Sequence, residues 1–227
     1  MFKGLINKYK LVRHALKYPG KGNSSTYMKY PPNCNFDGKR VLNLGCGTTT
    51  YKFPNVVNLD MFEGKGIDFI WDLSKTPLPF KNNVFDFIIA NHVLEHIPNW
   101  WECFKELARI IKVGGIIEIW VPGDGTTYQQ GYRDHINIIN HCSFTGVRGT
   151  FRNDANSWEI EERKKNKEVS DIAYIDKVGY KPLNLWWVHI MPVKLQLWIM
   201  EHLRNIIQEQ CYKFIKLPGE KDGKTII

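Results

Sequence analysis

What the chain lacks narrows the field first. No apolar run in its 227 residues reaches the roughly 18 needed to cross a bilayer, so no integral membrane segment is expected. The opening stretch, MFKGLINKYKLVRHALKY, scatters lysines through its apolar residues, which argues against a secretory leader. Cysteine is scarce and odd in number: Cys34, Cys46, Cys103, Cys142 and Cys211, with no C-x-x-C pair. That excludes a regular disulfide frame and points to reduced thiols in a cytoplasmic protein. His135, His141 and Cys142 lie close in sequence, but their spacing fits no standard metal site, so no metal is expected. Low-complexity tracts are missing too, and an apolar content of 43% with 24% charged residues is that of an ordinary globular chain.

Acidic residues are nearly absent from the first forty positions. Nine Lys/Arg stand there against Asp37 alone, so the formal charge of +8 belongs to this arm and not to the body. Such an arm either attracts phosphates or an anionic surface, or is simply a solvated helix face. Phe2, Leu5, Ile6, Tyr9, Val12 and Leu16 recur at helical spacing and predict an amphipathic helix over 2–17, closed by Pro19-Gly20.

From residue 40 the pattern changes. Short, nearly continuous apolar runs recur at Arg40–Leu44, Asn55–Leu59, Asp68–Trp71, Val84–Ala90 and Ile116–Val121, as expected of strands covered on both faces. One strong helix lies between the last two, with Asn99 and Glu102 placed as a capping box and Gly114-Gly115 as its stop. Alternation of this kind predicts an α/β fold: a doubly wound, Rossmann-like, mainly parallel sheet. The tail suggests strands at Trp158–Arg163 and Val169–Asp176, a helix over Pro192–Ile207 and a final antiparallel strand over Gln208–Leu217. The expected organisation is one domain over 1–227. Residues 1–38 form the leading helix and loop, 39–123 the ligand-binding core, and 124–227 the acceptor-recognition part with its insertion.

The segment that carries chemistry is Val41-Leu42-Asn43-Leu44-Gly45-Cys46-Gly47-Thr48. A buried strand runs into a Gly-x-Gly turn, where a ligand can approach bare main chain. Position 50, where a dinucleotide fingerprint has its third glycine, is Thr50, which disfavours a nicotinamide or flavin cofactor. The second strand ends in Asp60, and an acid there can accept from two ribose hydroxyls. A third strand ends at Asp72-Leu73. The fourth runs into Asn91-His92-Val93-Leu94-Glu95-His96, and the helix after it into Val113-Gly114-Gly115.

This ordered set, over about residues 38–123, resembles the class I S-adenosylmethionine-dependent methyltransferases, of the small type-11-like kind with a Leu-Glu-His signature. The resemblance implies S-adenosyl-L-methionine as cofactor and gives each residue a part. Asn43, Gly45, Cys46 and Gly47 would pass beneath the methionine moiety. Asp60, with Met61 next to it, would hold the ribose. Asp72 and Leu73 would flank the adenine, with Asn91 and His92 near the methyl group. The sequence departs from the family pattern in three ways. The usual acid two residues before the first glycine is Asn43. The third small residue of the turn is Thr49. Only Thr48–Pro54 separates the turn from the second strand, too short for a full crossover helix.

Histidines on the acceptor side are the candidates for proton handling. His92 sits at the mouth of the fourth strand, and His135 in the polar loop Tyr132–Asn137, where Asp134 can orient a neighbouring ring. His96 is expected to bond locally and pack. The tryptophan-rich stretch 185–200 is open between core, acceptor pocket and interfacial element. The reading as a whole is methyl transfer to oxygen or nitrogen of a small-molecule or glycan acceptor. The alternatives are nucleic-acid methylation through the basic arm and a non-catalytic cofactor-binding protein of the same fold.

Overall fold

A computed structural model of the chain describes residues 35–123, 125–144, 147, 171–174, 179–182, 192, 195 and 207–218. The expected leading helix, the strand at 158–163, most of the helix at 192–207 and the tryptophan-rich stretch lie outside these residues. Among them, no helix is long and apolar enough to cross a membrane.

Eight strands form one sheet: β1 (Val41–Leu44), β2 (Val56–Asp60), β3 (Phe69–Ile70), β4 (Phe85–Asn91), β5 (Ile111–Pro122), β6 (Ile172–Tyr174), β7 (Gly179–Pro182) and β8 (Ile207–Lys216). The order is β3-β2-β1-β4-β5-β8-β6, with β7 also paired to β8. The first five strands are mutually parallel, and β8 enters antiparallel to β5. The direction of winding therefore reverses between β1 and β4, and a parallel sheet binds its ligand at the carboxyl ends beside that reversal. The first four parallel strands and the last strand stand within a residue or two of their expected positions, whereas β5 begins five residues before the expected Ile116.

The strands are buried on both faces, so alternate residues feed two cores. Leu42, Leu44, Ile88, Ile117 and Ile119 join one side, against Phe104 and Leu107 of helix α1 (Trp100–Ile110). Val41, Val56, Phe87 and Ile89 join the other, under Phe36 and Tyr51. Each fully buried aliphatic or aromatic side chain here contributes about 1.5–3 kcal/mol relative to exposure. Phe104, Phe144 and Phe214 add ring contacts with centroids 4.8–5.4 Å apart.

Two local expectations about α1 change. The helix stops at Ile110, and the chain enters β5 at Ile111, ahead of Gly114-Gly115. The glycines instead carry the irregular start of β5, where a side chain at Gly115 would strike Ile111. Nor does Asn99 cap the helix; its amide donates to the Ser74 carbonyl at 2.9 Å, and Glu102 pairs with Lys105. Asn99 thus ties the loop after β3 to α1. Glu106 accepts from the Leu78 N–H, and Arg109 donates to the carbonyls of Leu78 and Phe80, which fix the same loop further on.

The short first connection contains no helix, as its length requires. Buried amides hold it instead. Asn43 and Asn58 face each other across β1 and β2. The Asn43 amide donates to the Thr49 carbonyl (2.8 Å) and to Asn58 Oδ1 (3.0 Å). Asn58 accepts from the Tyr51 N–H and donates to the Tyr51 carbonyl and to Asp68. All hydrogen-bonding capacity of the Asn58 amide is used, two donors and two acceptor sites, which is what a buried amide demands. Position 43 must donate twice, and a carboxylate cannot. Asn43→Asp, a change toward the usual family residue, is expected to cost about 2–4 kcal/mol near neutral pH by setting a carboxylate against two acceptors. Urea unfolding checks this, and the loss should shrink in acid as the new carboxyl takes up a proton.

Candidate cofactor and acceptor site

The turn after β1 is built by two glycines with different duties. Gly45 has φ +57°, and a side chain there would come within 2.4 Å of Val93 Cγ2. Gly47 has φ +52°, and a side chain there would meet nothing within 4 Å. The first glycine makes room for the fold, while the second keeps an outward face bare. Between them Cys46 is buried, and its N–H donates to the Leu59 carbonyl (3.0 Å). Burial, reinforced by Asp60, pushes the Cys46 thiol up to about 12, so it is a neutral packing group.

Asp60 closes the turn against β2. One carboxylate oxygen accepts from the Gly47 N–H at 2.8 Å and the other from the Phe62 N–H at 3.1 Å. Each oxygen keeps a second acceptor site. A cavity of about 740 Å³ opens here, lined among others by Gly47, Thr50, Lys52, Asp60, Phe62 and Lys65. Its size is that of a small-molecule site. Met61 (53% exposed) and Phe62 (68% exposed) leave apolar surface standing in water beside the carboxylate.

The other expected cofactor residues sit less directly. Asp72 belongs to a tight turn in which Oδ1 accepts from both the Ser74 N–H (2.9 Å) and the Ser74 hydroxyl (2.7 Å). Those two bonds hold its carboxyl below the usual aspartate value. Leu73 is 7% exposed and packs in the main core, not on a ligand-facing wall. Asn43 is committed to the connection described above. Asn91 ends β4 opposite Trp120 of β5. The cavity beside Asp60 includes Gly47 but none of Asn43, Gly45, Cys46, Met61, Asp72, Leu73 or Asn91.

His92 follows directly on β4, at the expected mouth of that strand. It has φ +54°, and its N–H donates to the Trp120 carbonyl. Its Nδ1 lies 3.2 Å from Glu95 Oε1 and its Nε2 lies 3.0 Å from Glu209 Oε1. Burial alone would lower its pKa, but the two carboxylates, Glu209 foremost, outweigh this and raise it. A ring engaged at both nitrogens and favouring the charged form clamps β4 to β8; it is badly placed to accept a proton from an acceptor. The sequence contained both acids without showing that they meet at His92, because Glu209 is 117 residues away.

His96 was expected to bond locally, but its partner lies 38 residues on: its Nδ1–H donates to the Asp134 carbonyl at 3.0 Å, with the Asp134 carboxylate 3.4 Å away. Asp134 therefore orients His96 and not its neighbour His135. The His135 ring lies 4.8 Å from that of His96 and 5.1 Å from that of Tyr132.

Residues 42–119 match the family model described as a methyltransferase domain. That domain is the one implied by the resemblance to the class I S-adenosylmethionine-dependent methyltransferases. Among curated relatives, the chain is 22% identical over 120 residues to a sterol 4-C-methyltransferase of Caenorhabditis elegans, covering 49% of this chain and 36% of that one. It is 27% identical over 90 residues to a demethylmenaquinone methyltransferase of Staphylococcus carnosus, covering 39% and 34%. The matches thus span about a third of these relatives' lengths. A solved S-adenosylmethionine-dependent methyltransferase of Archaeoglobus fulgidus superposes with a TM-score of 0.51 at 14% identity, covering 91% of this chain and 94% of that one. This last likeness speaks for the fold alone.

The site of the methyltransferase domain fits its family's cofactor. A bare glycine, a carboxylate with acceptor sites left over and exposed apolar side chains match ribose hydroxyls and a flat purine in kind.

Proposed function

We propose that the protein transfers a methyl group from S-adenosylmethionine to oxygen or nitrogen of a small or sugar-like acceptor. One observation carries the cofactor half: the Asp60 carboxylate at the carboxyl end of β2, fixed by the Gly47 N–H of the turn after β1, borders an open cavity. Asp60 would receive the ribose hydroxyls on its remaining acceptor sites. Gly47 would let the cofactor's chain approach the backbone, and Met61 would cover an apolar face. Asp72 would serve the adenine amine through its outer oxygen. When bound, the cofactor supplies an electrophilic methyl group, and the protein's task is alignment.

The acceptor would enter over the carboxyl ends of β4 and β5, beside the Tyr132–Asn137 loop. With His92 clamped between two acids, an acceptor already nucleophilic at the working pH, such as a neutral amine or an acidic hydroxyl, fits best. A second reading takes the acceptor to be an apolar lipid methylated at carbon, supported by the names of the relatives, a sterol methyltransferase and a demethylmenaquinone methyltransferase.

Calorimetry with S-adenosylhomocysteine tests the first half. Wild type should bind, and Asp60→Ala should bind about 10–100-fold more weakly, the worth of charge-assisted hydrogen bonds. Asp72→Ala should lose less, since that carboxylate is already engaged by Ser74. No wild-type binding, or an unchanged constant in folded Asp60→Ala, overturns the reading. Methyl transfer to a panel of amines, phenols, sugars and isoprenoid quinols separates the two acceptor classes.

A further inference from the structure

The Leu94–His96 turn and the Tyr132–Asn137 loop meet in a way that methyl transfer does not require. Both the Ile136 and the Asn137 N–H donate to the Glu95 carbonyl, each at 3.0 Å. The Asn137 amide donates to the Ile97 carbonyl, and Gln129 donates to the Asn137 carbonyl. The loop is thereby fixed on the turn by backbone bonds, and side chains from both segments converge. One ligand atom each from Glu95, His96 and His135 lies within 4.8 Å of the other two.

Two atoms in this cluster are left over. Glu95 is fully buried, and while Oε1 serves His92, Oε2 has no hydrogen-bond partner. His135 Nδ1 is likewise buried and without a partner. An orphaned buried carboxylate oxygen is costly and calls for an occupant. The third residue is prepared for one. His96 donates its Nδ1–H to a carbonyl, so the neutral ring carries its lone pair on Nε2, the arrangement by which backbone groups orient metal-bound histidines.

We propose that Glu95, His96 and His135 bind one divalent transition-metal ion of the zinc class. Two imidazoles and one carboxylate form a set suited to zinc, cobalt or iron, whereas magnesium and calcium ask for oxygen ligands throughout. A tetrahedral ion with bonds of ~2.0–2.1 Å holds its ligands ~3.3 Å apart, so the three atoms close by at most ~1.5 Å. Three protein ligands leave one position open, and the half-exposed side of His96, next to exposed Asp134, gives solvent access to it. The ion would fasten the acceptor-side loop to the end of β4. It also gives His135 a part other than general base: its free nitrogen is a ligand. Adjacent Glu95 and His96 with a partner 39 positions on match no standard ligand spacing, so the site is not legible in the sequence.

The test uses the full chain, stripped with chelator, freed of it, and titrated with Co²⁺ as a spectroscopic probe. One equivalent should bind with visible ligand-field bands and no thiolate charge-transfer band, and Zn²⁺ should displace it. His96→Gln and His135→Gln should each weaken binding by ~100-fold or more while leaving S-adenosylhomocysteine binding in place. Silence in the wild type, a thiolate signature, or binding in both variants as tight as in the wild type overturns the proposal. Should a variant fail to fold, the wild-type stoichiometry and spectrum still decide. Because cofactor binding is measured in the same samples, loss of the metal site and failure of the methyltransferase reading are told apart.

Discussion

Lys213→Met is expected to destabilise the protein by about 3–5 kcal/mol, a fall in Tm of roughly 6–20 °C for a chain of this size. Lys213 lies on β8 directly opposite Glu118 of β5, and both side chains are buried. Its ammonium stands 2.7 Å from one Glu118 oxygen, while the Trp120 indole N–H donates to the other at 2.6 Å. Burial pulls the lysine pKa down, but the facing carboxylate more than restores it, so the pair is ionised. Removing the cation leaves the buried carboxylate without its countercharge, and the Trp120 indole offsets only part of its desolvation. The double change Glu118→Gln with Lys213→Met should recover most of the loss, because exchanging both partners of a buried pair is often neutral. Urea unfolding of the two variants is the check. Equal stability of wild type and Lys213→Met would show that the pair is not closed in solution.

Gly45→Ala is the second large effect. Two costs add at this residue. An L side chain at φ +57° carries about 1–2 kcal/mol of backbone strain. Its Cβ would also lie 2.4 and 2.8 Å from the two Val93 methyls, and overpacking of that kind costs about 1–3 kcal/mol. Thermal unfolding should register about 2–5 kcal/mol in all. Val93→Ala in the same chain should return about 1–2 kcal/mol of it, a coupling that a double-mutant cycle reads directly. Gly47→Ala is the instructive contrast, with the same sign of φ and open space outside it. It should unfold only about 1–2 kcal/mol earlier but bind S-adenosylhomocysteine poorly, since the new methyl group occupies the approach. Equal stability losses at the two glycines would contradict the division of duties described above.

The sheet was readable from the chain because buried parallel strands announce themselves as short Val/Ile/Leu/Phe runs, and the short first connection followed from counting residues. Helix ends were less readable. Asn99 has the residue type of a cap, but the Ser74 carbonyl competes for its amide, and nothing local reveals that competitor. At the site, Gly47 and Asp60 were legible because an adjacent strand pair brings them together at fixed register. The burial of Leu73 was not legible, because one residue of phase decides between core and surface in so short a segment. The buried partners were out of reach altogether. Asn58 was visible as a polar residue in an apolar strand, but its bonds to Asn43, Tyr51 and Asp68 depend on how a loop returns. His92 was recognised and its partners were not, since one of them arrives on the last strand.

The missing first helix also has an electrostatic side. In dinucleotide-binding proteins the glycine turn opens a helix whose amino end carries a partial positive charge, and that charge attracts a diphosphate. Here the peptide dipoles after Gly47 are not aligned in a helix, so the turn presents no such pole. The turn itself therefore neither repels a guest bearing a sulfonium cation nor draws in one bearing two phosphates. That neutrality comes from the direction in which a handful of amides point.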